Sequence, residues 1–330
     1  MSTVHATAEE QARTVRVRRL PQVPVEVGLG ALLTVIVVMF TALNSSFWSA
    51  SILQAVLRAA AVAGLVVVGE TLLLILKQID LSVGSVVSLS AIVGCQLVTH
   101  YHLPWQLAVL GALGVGMAVG AVNALLVVWA RLPALIVTLG TLYATGGLSL
   151  VISGGLQISG LPEGLVGLGQ SRLLGLPFAV YLLLAVVAVA HGVMNLTVFG
   201  KSAYAIGGNE RAAVRAGVPV RRYVTCAFIA SGGLAGLAGI LLAGRVGVAD
   251  PTQGQGLELT VITAAVVGGI SLFGGAGTML GAFLGAVFIQ VVTIGLVLVG
   301  LDSTLQPVAS GALLIVAVAV DTLRRRARRA

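Results

Sequence analysis

The chain has 330 residues, of which 58% are hydrophobic and 9% charged, and it carries a formal net charge of +8. A soluble domain averages roughly 25% charged residues, and a single core stops growing at about 250–300 residues. This composition therefore excludes a water-soluble globular protein. Gly is abundant at 43 residues without a Gly-X-Y period, which excludes collagen, and the apolar content excludes a disordered chain.

Residues 1–24 form a basic tail with Arg13, Arg16, Arg18 and Arg19. It lacks the apolar stretch and cleavage site of a signal peptide, so it is expected to stay on the mature protein. A helix needs about 20 apolar residues to cross the hydrocarbon core. The sequence predicts ten spans, at 25–43, 53–76, 82–99, 105–129, 134–152, 175–194, 224–244, 258–273, 279–300 and 305–321. The expected fold is an all-α polytopic membrane protein, with a membrane domain over 25–322 and a basic tail over 323–330. Small residues suit its helix interfaces.

Orientation follows from Lys and Arg. The N-terminal tail and the C-terminal run Arg324, Arg325, Arg326, Arg328 and Arg329 belong on the cytoplasmic side, as an even span count requires. Arg131 and the loop 195–222, with Lys201, Arg211, Arg215, Arg221 and Arg222, fall on that side too. The basic surplus is thus a matter of topology rather than nucleic-acid binding. The long outer connection, residues 153–175, leaves room for a short interfacial helix. Cys95 and Cys226 lie in apolar runs without metal spacing and read as buried helix residues.

Polar residues interrupt the apolar pattern at Glu70 and at Lys77-Gln78-Ile79-Asp80-Leu81-Ser82-Val83-Gly84. One reading makes Asp80 or Ser82 an N-cap for the next helix. Another makes Ile79 to Gly84 a backbone break at membrane depth, where it must line a cavity or be buried in protein. A carboxylate there costs roughly 2.5–3.5 kcal/mol on insertion scales, so Asp80 needs Ser82, a helix N-terminal amide or a basic group as partner. Glu70 and Lys77, seven residues apart, are expected on a similar helix face. Arg58 and Glu26, nearer span ends, are expected to snorkel to an interface. Ile270-Ser271-Leu272-Phe273-Gly274-Gly275 echoes Ile79 to Gly84, as an internal repeat with broken helices would require. The candidate pathway residues are Glu70, Asp80, Ser82, Gly84 and Ser271.

The central loop predicts a short surface helix from Asn209 to Ala216, with Asn209 as N-cap and Gly217 just past its end. Glu210 near the start and Arg215 near the end suit its dipole. It reads either as a solvated connector or as a docking knob comprising Gly207, Gly208, Asn209, Glu210, Arg211, Ala212, Ala213 and Gly217.

Tyr204 to Asn209, followed by Ala212-Ala213 and Gly217, resembles the permeases of bacterial ABC importers for ribose, xylose and related sugars. Ile79 to Gly84 is similar to that family's Ile-Asp-Leu-Ser-Val-Gly signature. Leu132 to Thr141, Gly233 to Gly239 and Gly268 to Gly277 resemble further family segments, so the resemblance covers about 55–320. It belongs to a superfamily that also carries branched-chain amino acids. The resemblance implies a pathway built from two permease subunits, the same or sister chains, in the inner membrane of a bacterium. It implies a periplasmic or lipid-anchored sugar-binding protein and a cytoplasmic ATPase docking on the mid-chain helix, with ATP and magnesium held by that ATPase. The chain itself has no Gly-x-x-x-x-Gly-Lys-[Ser/Thr] loop, so it is expected to bind no cofactor and not to hydrolyse ATP. The alternative class is an ion-coupled secondary transporter using Glu70 and Asp80. A membrane enzyme finds no support, since His191 stands alone.

Overall fold

A computed structural model describes residues 25–329. The basic N-terminal tail lies outside the described residues. The helices are α1 (Val25–Leu43), α2 (Ala50–Ile75), α3 (Val83–Thr99), α4 (Trp105–Ala124) with a π turn (Leu125–Trp129), α5 (Ala134–Ser153) and α6 (Glu163–Gln170). They continue with α7 (Phe178–Leu196), α8 (Val198–Gly208), α9 (Glu210–Arg215), α10 (Val220–Val246), α11 (Leu257–Val267), α12 (Met279–Leu298) and α13 (Gln306–Arg329). A small antiparallel hairpin, β1 (Arg172–Leu173) and β2 (Leu176–Pro177), pairs Arg172 with Pro177. The helix α6 supplies the short element expected in the outer connection.

Among the described residues seven helices are long and apolar enough to cross a membrane: α1, α2, α4 with its π turn, α5, α7, α10 and α12. Each of the ten expected spans coincides with a helix, but three fall short: α3, α11 and the apolar part of α13, Val308–Ala319. The 17 residues of α3 and the 11 of α11 reach only about 25 and about 16 Å at 1.5 Å per residue, against a hydrocarbon core of about 30 Å. The expected span 258–273 ends early because Gly269 turns left-handed at φ +88°, and residues 268–278 are a connection. At the C-terminus α13 runs through the residues expected to form a separate tail.

The core is built on α2 and α10. From Ala59 to Ile75 every residue of α2 is buried, and α10 packs its Gly- and Ala-rich length against α2, α3 and α4. Lipid supplies no hydrophobic drive between helices, so close van der Waals packing must hold them. The crossing of α4 and α10 achieves it with glycines. A Cβ on Gly116 would overlap the Gly232 carbonyl, and a Cβ on Gly232 would overlap that of Gly116.

Packing also fixes direction. Gly120 lies against Phe228 and Gly236 against Ala112, so α10 runs antiparallel to α4 and parallel to α3. Gly268 meets Gly281 and Gly285 meets Ala264, so α11 opposes α12. The helix α12 is parallel to α1, since Thr278 bonds Glu26 and Gly295 meets Phe40. The short helices α3 and α11 therefore run in opposite directions, and their N-terminal ends meet. There the Gly254 amide donates to Ser88 Oγ at 2.9 Å, and the Gly84 carbonyl packs on Gly254. Each short helix follows a long buried one, α2 before α3 and α10 before α11. The positional counterpart of the break after α2 is thus residues 247–256, not Ile270 to Gly275, which lies between α11 and α12.

Candidate translocation and coupling sites

The helix α2 stops where Lys77 takes φ +63°. Residues 78–80 leave the helix, a two-residue turn follows, and α3 starts at Val83. The turn is buried in protein, as irregular backbone at membrane depth requires. Asp80 is 2% exposed, and Glu70 and Ser82 are fully buried. The Asp80 amide donates to Glu70 Oε1 at 3.2 Å. Asp80 Oδ1 in turn accepts the Ser82 amide at 2.8 Å and the Ser82 hydroxyl at 2.5 Å. The backbone is broken, as the second reading requires, but the capping reading does not hold: Ser82 occupies the N-cap position without a side-chain cap bond, and Asp80 holds the Ser82 turn rather than an amide of α3. Its partners are a hydroxyl and an amide, and among the described residues no basic side chain bonds to it.

The site extends beyond the residues read from sequence. Asn123 on α4 donates through Nδ2 to Ser82 Oγ at 3.0 Å and accepts from Thr141 Oγ1 on α5 at 2.7 Å. Thr138 donates to the Ile79 carbonyl at 3.3 Å, and Ser85 shares a 2.6 Å bond with Thr145. The signal for these residues was their polarity inside apolar spans. Glu70 Oε2 is buried without a hydrogen-bond partner among the described residues.

Other expectations need correction. Lys77 is exposed and does not share a face with Glu70, because the helix ends between them. Gly84 joins the break, with the Glu258 carboxylate and Gly254 carbonyl against its Cα. Ser271 sits apart, its hydroxyl donating to Asp321 Oδ2 at 3.2 Å. Glu26 accepts the Thr278 hydroxyl at 2.6 Å, and Arg58 donates to the Gln170 carbonyl at 3.1 Å, so both are held by neighbours. Cys95 is buried, but Cys226 is exposed. It borders an apolar groove of about 680 Å³ lined by Leu72, Met117, Val189, Val193 and Leu234 among others, which offers a polar solute no hydrogen bonds. Among the described residues no three of His, Cys, Asp and Glu gather as metal ligands.

The mid-chain loop is a pair of helices. α9 starts where Asn209 predicts, with Asn209 Oδ1 accepting the Ala212 amide at 3.0 Å, and Gly217 follows it at φ +81°. The preceding helix, α8, was not among the expected elements. It forms because Thr197 Oγ1 caps it on the Phe199 amide at 3.1 Å and because two of its glycines permit close packing. Gly200 lies on the Met194 backbone, and Gly207 on the backbone of Ile75 and Gly275. Gly208, Asn209, Glu210, Arg211, Ala212 and Gly217 are exposed, whereas Gly207 and Ala213 are buried. The last two face their own chain and not a partner. Tyr204 Oη donates to the Gly277 carbonyl at 2.8 Å, and partial burial raises its phenol above the usual range, keeping the donor protonated.

The bundle thus carries a buried polar break and an exposed, capped helix, and comparison with known proteins gives its family. The family described as branched-chain amino acid transport system, permease component, matches residues 52–318. The chain belongs to this family. The permease is similar to the autoinducer 2 import system permease protein LsrC of Klebsiella pneumoniae subsp. pneumoniae, at 38% identity over 88% of this chain and 84% of that one. LsrC of an Enterobacter species is 39% identical over the same shares. The D-allose transport system permease protein AlsC of Escherichia coli is 33% identical over 88% of this chain and 90% of its own. No solved structure matches the permease. All the segments that carried the resemblance in sequence fall inside the matched region.

Proposed function

We propose that the permease is the membrane subunit of an ATP-binding cassette importer that moves a monosaccharide or similar polyhydroxylated solute across a bacterial inner membrane. The observation that carries this reading is α9, a six-residue helix capped at Asn209 and seated on the bundle through Ala213, with Glu210, Arg211 and Ala212 exposed. A helix this short is not stable by propensity alone, and the chain fixes it with a cap and with the buried Ala213. Such a rigid knob suits a partner that pushes. The exposed Lys201, Arg211, Arg215, Arg221 and Arg222 around it support a cytoplasmic position for it through the positive-inside rule.

The substrate class rests on the relatives, whose names give autoinducer 2 and D-allose import. In this reading an ATPase subunit binds α9, a secreted binding protein delivers solute at the opposite face, and a second permease, identical or sister, completes the pathway. Asp80, Ser82 and Asn123 shape the inner half of the bundle beside that pathway. ATP and magnesium act on the ATPase alone.

The test is co-expression with an ATPase from an adjacent reading frame, followed by purification and reconstitution. Co-purification and ATP-dependent solute uptake are expected, with uptake persisting after ion gradients are collapsed. Uptake by the permease alone, driven by a proton or sodium gradient, would favour Glu70 and Asp80 as coupling groups and overturn the importer reading.

A further inference from the structure

Three stretches of backbone, remote in sequence, touch one another at the base of α8. The Gly275 amide donates to the Ile75 carbonyl at 2.9 Å, tying the connection 268–278 to the last turn of α2. Gly207 fills the remaining space. A Cβ on it would overlap the Ile75 carbonyl and lie 2.5 Å from the Gly275 nitrogen. Gly274 lies against the Gly207 carbonyl and the Lys77 side chain, and Gly275 against the Gly208 backbone. Tyr204, one turn earlier on α8, adds its bond to the Gly277 carbonyl.

We propose that Gly207 is the positioning residue through which α9 moves the membrane bundle. The proposal rests on the importer reading, and it deepens that reading by saying where the push goes. Asn209 joins the two helices with a single residue. Its amide donates to the Ala205 carbonyl at 3.0 Å to end α8, and its side chain opens α9. There is no flexible linker at that joint, so displacement of α9 displaces the end of α8. At Gly207 that displacement meets two connections at once. One is the segment from Ile75 to Ser82, which carries the Asp80 break and leads into α3. The other is the segment from Gly268 to Thr278, which follows α11. The first leads into the N-terminal end of α3 and the second holds the C-terminal end of α11, so both helices whose N-terminal ends meet are reached from one contact. Backbone packed on backbone, without intervening side chains, has no rotamers in which to lose the motion.

The test uses the permease–ATPase complex in nanodiscs and hydrogen exchange at residues 75–82 and 268–278, with and without MgATP plus vanadate. In the wild type, trapping is expected to change the protection of both segments together. Gly207→Ala is expected to leave ATPase binding intact and to shrink that change at least threefold in both segments. Tyr204→Phe, which removes one hydrogen bond and no packing volume, is expected to weaken it by a smaller factor. Gly192→Ala, a helical glycine with open space around it, should match the wild type. A normal response in Gly207→Ala overturns the relay, as does a wild-type response confined to one segment. Should Gly207→Ala fail to assemble, an unaltered response in Tyr204→Phe overturns it. Failure of any ATPase to bind the wild type would instead count against the importer reading.

Discussion

The Asn123 side-chain amide donates to the Ser82 hydroxyl across 3.0 Å, and the same Asn123 accepts from Thr141. One residue of α4 therefore holds the turn before α3 on one side and α5 on the other. Asn123→Leu removes a donor from Ser82 and an acceptor from Thr141, whose hydroxyl keeps the Val137 carbonyl at 3.0 Å. Each lost hydrogen bond costs about 0.5–1.5 kcal/mol, so a fall in the midpoint of thermal unfolding in detergent is expected. An unchanged midpoint would mean that the network does not hold the break.

Asp80 offers a sharper contrast. Its Oδ1 accepts two bonds from Ser82, and hydrogen bonds to charged groups contribute about 1.5–3 kcal/mol. Asp80→Asn keeps an acceptor oxygen at that position, whereas Asp80→Ala keeps none. The alanine variant is expected to lose stability on that order and to lose most transport, with the asparagine variant in between. Equal stability of the two would show that the carboxylate does not hold the Ser82 turn.

The hydropathy of the chain made most of this architecture legible. Each apolar run longer than about 17 residues became a helix, and Asn209 and Gly217 marked α9 because a cap and a left-handed residue act locally. Depth in the membrane was not legible. Residues 258–273 form one apolar run, and hydropathy cannot see that Gly268 and Gly269 stop the helix in its midst. The helix α8 was hidden because Gly200 and Gly207 weaken a helix in isolation and are tolerated only where a neighbouring backbone comes close. Asn123, Thr138, Thr141 and Thr145 were each a lone polar residue in a span. Their common purpose exists only where α4 and α5 converge on the turn before α3.

The exposed face of α9 should matter to a partner and not to the fold. Arg211→Glu reverses a charge on an exposed residue, where surface changes stay usually within about 0.5 kcal/mol of neutral. Its expected outcome is a wild-type unfolding midpoint with ATPase affinity reduced at least tenfold in a pull-down titration. Ala213→Leu is expected to behave in the opposite order, since Ala213 lies on the buried face of α9: stability falls first, and docking falls with it. Identical behaviour of the two variants would argue against α9 as a docking element.

Topology admits a direct check. Cysteine placed at Arg215, beside α9, should react with a membrane-impermeant maleimide only after intact cells are opened. Cysteine placed at Gln157, whose side chain bonds Asp250 at 2.6 Å in the opposite connection, should react in intact cells. The native Cys226, exposed on α10 beside an apolar groove, should stay unlabelled in both. The reverse pattern at 215 and 157 would invert the proposed orientation.

The crossing of α4 and α10 sets how closely the bundle can pack. Gly116 and Gly232 lie with each Cα against the other's carbonyl, so any side chain at either position must part the helices. Overpacking of this kind costs about 1–3 kcal/mol. Gly116→Leu should exceed Gly116→Ala, because the alanine methyl demands less separation than an isobutyl group. Gly114 on the same helix has open space around it, and Gly114→Ala is expected to be neutral or slightly stabilising, given the roughly 1 kcal/mol advantage of Ala over Gly in a helix. The measurement is the unfolding midpoint of each variant in one detergent. A Gly116→Ala variant as stable as Gly114→Ala would mean that α4 and α10 do not touch backbone to backbone.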